Sequence, residues 1–153
     1  MDTMDFDITR AQTPSLLRRL GAICYDGLLL VGILMIATGL VSIPYGLITG
    51  SDYYHNALAL NLMRLILVAV VGAFFVYFWT HGGQTLGMRA WRLRVLTDEG
   101  QPLTTGAAIK RFGWAFVSLL PAGLGLLWSL FDGDKLAWHD RKSQTRLVLV
   151  AKQ

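Results

Sequence analysis

The chain has 153 residues, 54% of them hydrophobic and only 16% charged, with a formal net charge of +4. A soluble domain carries roughly 25% charged residues, so the deficit points to a membrane protein of a length that suits one domain. Cys24 is the only cysteine, which excludes an internal disulfide, a Cys-rich metal site and a CxxC redox pair; the basic residues flank apolar runs, as in a protein held against an anionic leaflet rather than one that binds nucleic acid.

Residues 1–15 read as a flexible acidic N-terminus holding Asp2, Asp5 and Asp7, and residues 16–153 as a single membrane domain. A helix starts at Pro14-Ser15 and carries Arg18 and Arg19 into the first apolar run, residues 20–43, whose one charge is Asp26. A spanning helix needs about 20 apolar residues, and without a cleavage signature this run is a retained span. Pro44-Tyr-Gly is expected to end it, followed by a short connector with Asp52, Tyr53, Tyr54 and His55 and no Lys or Arg. The second span, residues 58–80, contains Arg64 and ends in the aromatics Phe74, Phe75, Tyr77, Phe78 and Trp79, which suit the membrane–water interface.

A polar loop follows, residues 81–111. Gly82-Gly-Gln-Thr lacks either phosphate-loop pattern and reads as a tight turn in which Gln84 and Thr85 satisfy backbone groups. From Trp91 to Leu96, apolar and basic residues alternate with the period of a half-buried strand. Asp98-Glu-Gly-Gln-Pro signals a turn, and residues 104–111 suit a short amphipathic helix. The strand-like Thr145-Arg-Leu-Val-Leu-Val could pair with 91–96, giving a small cytoplasmic cap of short strands and a helix. The third apolar run, residues 112–131, is uncharged but broken by Pro121, Gly123 and Gly125. The expected fold is therefore an all-α membrane protein: a small bundle of two clear spans plus a third element, either a kinked span or a re-entrant hairpin.

The charge distribution sets the topology. Arg10, Arg18 and Arg19 precede the first span, the connector has no basic residue, and the central loop has five. The N-terminus and loop are thus expected inside. The tail, residues 132–153, also has five basic residues, which a third full crossing would place outside; a hairpin entering and leaving on one side resolves the conflict.

Asp26 dominates the chemistry. It lies seven residues beyond Arg19, roughly 10 Å along the helix and too far for direct pairing, so Arg111, His81, Thr80 or His139 is expected to compensate it. It is either a cation- or proton-binding carboxylate or a packing contact. Arg64, near the outer end of its span, snorkels outward or lines a vestibule. Asp132, Asp134, His139 and Asp140 lack the spacing of a fixed metal site. No nucleophile–base arrangement and no cofactor motif stands out, so no enzyme activity is expected.

Arg19 with Asp26, then Gly83-Gln-Thr-Leu-Gly-Met-Arg, Leu93-Arg-Val-Leu-Thr-Asp-Glu-Gly-Gln-Pro-Leu and Ala137-Trp-His-Asp-Arg, resembles in this order the RDD family of small bacterial polytopic membrane proteins, over about residues 16–150. The family is named for one Arg and two Asp; Arg19 and Asp26 match the first two, and Asp140, or alternatively Asp132, the third. Met88 stands where the family often has Lys. The resemblance implies a bacterial multi-pass membrane protein associated with sodium, lithium or potassium exchange for protons; with the charge distribution, the expectation is an inner-membrane protein with a cytoplasmic N-terminus. On that expectation Asp26 and Asp140 bind the cation or proton, Arg19, His139, Asp132, Arg64 and His81 support or gate them, and a homo-oligomer completes the pathway. The alternative is a non-transporting scaffold or accessory subunit of a membrane complex.

Overall fold

The computed structural model describes residues 12–119 and 123–150; the acidic N-terminus and Pro121 lie outside them. Two long helices come first. Helix α1 spans Leu16–Thr49 and α2 spans Ala57–Thr80, joined through a 3-10 turn at Tyr53–His55. Both are apolar on all sides. The most apolar stretch of α1 has none of its residues buried, and that of α2 only 6%. The core helix of a soluble protein would bury such a surface; a helix apolar all round and uncovered by protein belongs in a bilayer, where its own ladder satisfies every backbone group. Pro44 does not end α1, which continues to Thr49: a proline costs one ladder bond, and the apolar residues around it favour helix over exposed backbone in lipid.

The short elements follow: α3 (Leu86–Ala90), β1 (Leu93–Thr97), α4 (Thr105–Leu119), α5 (Leu124–Leu127), a 3-10 turn (Trp128–Leu130), α6 (Trp138–Ser143) and β2 (Thr145–Leu149). β1 and β2 pair antiparallel, Leu93 opposite Leu149 and Thr97 opposite Thr145, as the matching alternation of the two segments predicts. The Asp98–Gln101 turn closes through Thr97 N–H donating to the Gln101 carbonyl at 2.9 Å. The amphipathic helix expected at 104–111 and the first half of the third apolar run prove to be one helix, α4. With no Pro between residues 105 and 119, nothing stops the ladder where the polarity changes. The chain has reversed by α5, since a Cβ on Gly125 would lie 2.7 Å from the Ser118 Cα, whereas seven residues of continuous helix would separate them by roughly 10 Å.

The chain divides into two compact units. One is residues 27–74, the greater part of α1 and α2 with their connector. The other comprises the start of α1, the end of α2 and everything after. The core of the latter is Ala22, Trp79, Met88, Leu93, Val95, Leu103, Ala108 and Leu147, with Phe75 and Phe112 packed against it.

Candidate functional site

Two buried carboxylates organise the second unit. Asp140, fully buried, stands in the first turn of α6 and accepts the Ala137 N–H at 3.1 Å, capping its own helix. The same oxygen, Oδ2, accepts from Arg19 Nη1 at 3.0 Å. Its other oxygen lies 2.6 Å from Arg111 Nη1 on α4, an ion-pair contact. Arg19 also donates to the Lys135 carbonyl at 2.8 Å. Arg111 donates to Thr145 Oγ1 at 2.5 Å and stacks over the Trp79 ring, 5.1 Å from its centroid. One carboxylate thus ties α1, α4 and α6 together, and through Thr145 it reaches the sheet. Burial pushes the Asp140 carboxyl upward, but Arg111 and Arg19, with His139 once it is protonated, outweigh burial and hold it at about 2. His139 lies beside it, Nε2 3.6 Å from Asp140 and Nδ1 3.2 Å from Ser118 Oγ. Burial, with the two arginines adding to it against Asp140, lowers His139 to about 4. The ring is therefore neutral at pH 7, and the arginines alone supply the positive charge around Asp140.

Asp26 has different company. It is 3% exposed on α1. Its Oδ2 accepts the Thr85 hydroxyl proton and its Oδ1 accepts the Gly87 N–H at 2.8 Å. Thr85 is the N-cap of α3 and accepts in turn from Met88 N–H at 3.1 Å. Asp26 therefore binds the start of α3 through a hydroxyl and an amide, with no basic side chain among the described residues. Gly87 makes this approach possible, because a Cβ there would press on the Ala22 carbonyl and come 2.8 Å from Asp26 Cγ.

The compensation expected from Arg111, His81, Thr80 or His139 is absent among the described residues. Arg111 and His139 surround Asp140 instead. His81 is exposed; it stacks on Tyr77, and its Nδ1 lies 2.9 Å from the Tyr77 carbonyl. The Thr80 hydroxyl donates to the Val76 carbonyl of its own helix at 2.8 Å. Arg64 lies in the other unit and donates to Asn61 at 3.3 Å. Asp132 holds Arg141 at 2.6 Å and caps Leu136 N–H; the Arg141 hydrogen bond keeps its carboxyl below the usual range. Asp132 thus stands outside the Arg19 cluster, and Asp140 is the acid that Arg19 meets. Sequence reasoning missed Thr85 and Gly87 as partners of Asp26. A Thr three residues before the Met88 amide marks an N-cap, but only the fold shows which helix it faces.

No group of three or more His, Cys, Asp or Glu that could hold a metal occurs among the described residues. No curated protein and no solved structure matches the chain. The RDD family model matches residues 13–144, which include Arg19, Asp26 and Asp140, and the chain belongs to the RDD family.

Proposed function

We propose that this membrane protein is a scaffold or accessory subunit: two spans hold it in the bilayer, and its buried charges lock a folded cap onto the ends of those helices. One observation carries this reading. Arg19, Asp26 and Asp140 each spend their polar atoms on this chain, on one another or on helix starts and carbonyls. On the positive-inside rule the N-terminus and cap face the cytoplasm. The exposed Ile109, Phe116, Val117, Leu124 and Leu127 of α4 and α5 suit a hairpin that dips into that leaflet and returns, which keeps the basic tail inside.

A second reading is exchange of a monovalent cation for protons at Asp26, by a homo-oligomer whose protomers together enclose a pathway. Its support is that Asp26 lies in a span with no basic partner among the described residues, so a proton or cation could neutralise it. Proton flux on addition of sodium, lithium or potassium to proteoliposomes, wild type beside Asp26→Asn, separates the two. The scaffold reading expects no cation-driven flux from either protein. Flux in the wild type that the variant loses while folded would replace scaffold with exchanger.

A further inference from the structure

We infer that the junction of α1 with α3 is a binding site for the headgroup of an anionic phospholipid. Trp91, the residue after α3, packs against α1: a Cβ on Gly21 would collide with its indole ring, 2.8 Å from Nε1. Gly21 is two residues past Arg19, in the first turn of the apolar run. Trp91 therefore sits at the height where the span enters the bilayer, and at 40% exposure it is only half covered by protein. A half-exposed indole packed on a helix at that height is suited to the headgroup layer.

Three arginines flank that contact. Arg18 is one helical turn before Gly21 on α1, and Arg89 and Arg92 bracket Trp91. Arg89 is exposed, Arg18 and Arg92 partly so. Among the described residues none of the three has an ion pair or a side-chain hydrogen bond, in contrast to Arg19, Arg111, Arg141 and Arg146, each of which meets a carboxylate. Asp26, the acid nearest along α1, is closed off by Thr85 and Gly87, so no carboxylate of α1 or α3 competes for them. Three guanidinium groups with no carboxylate partner among the described residues, beside an interfacial tryptophan, complement a lipid phosphate, which a guanidinium binds with two parallel hydrogen bonds. A free anion would gain nothing from the indole, whereas a lipid places its phosphate and its glycerol at this height together.

The full chain in nanodiscs of equal parts phosphatidylglycerol and phosphatidylcholine tests this, with the lipids retained on release counted by native mass spectrometry. Wild type should retain phosphatidylglycerol over phosphatidylcholine by about tenfold or more. The triple variant Arg18→Gln, Arg89→Gln, Arg92→Gln should lose that preference. A variant of equal charge loss elsewhere, Lys110→Gln, Lys142→Gln, Arg146→Gln, should keep it. Equal retention of both lipids by wild type, or equal loss in the two variants, would overturn the site, as would displacement of the lipid by excess inorganic phosphate. Independently of any variant, a photoactivatable phosphatidylglycerol should label wild type within residues 18–21 or 89–92; labelling confined to other segments would also overturn it.

Discussion

Asp140 and Asp26 are both buried acids that fasten a short helix, yet they are neutralised in opposite ways. Asp140 sits between two guanidinium groups, and among the described residues Asp26 meets only a hydroxyl and an amide. The contrast teaches where each side chain's energy lies. A carboxylate that holds two buried cations cannot leave without stranding them, whereas one held by dipoles leaves behind groups that a neutral acceptor or a water can satisfy. The Arg19 end of α1 is accordingly the rigid lock, and the Asp26 contact about two turns beyond it is the softer seam.

The largest effect should come from Asp140→Asn. It leaves Arg19 and Arg111 buried and facing one neutral amide, and breaking such a cluster costs about 3–5 kcal/mol. Thermal unfolding in detergent micelles would show it, and a loss under about 1 kcal/mol would remove the lock from the account. The same cluster should respond to pH. His139 is lowered from 6.5 to about 4, so as pH falls through that window the unfolded chain takes up a proton that the folded one refuses. Stability is full above 6.5 and falls by up to about 3 kcal/mol by pH 4. Asp140, held at about 2, adds its own loss only below its ordinary value of 3.8. His139→Gln should flatten the upper slope; an upper slope unchanged in that variant would assign it to another group.

At the softer seam the first test is steric. Gly87→Ala would drive a methyl into the Ala22 carbonyl and the Asp26 carboxyl, and overpacking of this kind costs about 1–3 kcal/mol. Hydrogen exchange should show α3 opening ahead of α6. Equal protection of the two helices would mean that α3 accommodates the methyl without leaving α1.

Much of this was legible in the sequence. The two spans followed from length and hydropathy and the sheet from the shared alternation of residues 91–96 and 145–150, while motif order singled out Arg19, Asp26 and either Asp140 or Asp132. What stayed hidden was tertiary. Periodicity shows that Arg111 is polar on an apolar helix, but its choice of Asp140 over Asp26 depends on α4 lying beside α6. Likewise Thr85 declares itself an N-cap, while the identity of the acid it meets depends on a glycine, Gly87, that only a close approach explains. Pro44 and the polarity change at residue 111 misled for one reason: both mark where a helix can end, and in each case the flanking residues continue it.

The smallest expected effect, and the finest test of the contrast, is Asp26→Asn. The amide oxygen can still accept the Gly87 N–H, but its NH2 then faces the Thr85 hydroxyl. That hydroxyl already accepts from Met88 and would lose the acceptor for its own proton. One hydrogen bond fails and one survives, so the cost should be about 1–2 kcal/mol, well below that of Asp140→Asn. Thr85→Val removes the same bond from the other side and also the α3 cap, so its own cost should be of similar size or larger. Because both changes break one shared bond, the double variant should be less destabilised than the sum, with a coupling of about 1 kcal/mol. Strict additivity would show that the carboxylate and the hydroxyl act separately, and Asp26 would then need a partner outside this chain. Coupling would place its charge in the service of α3, as the dipole-only contact requires.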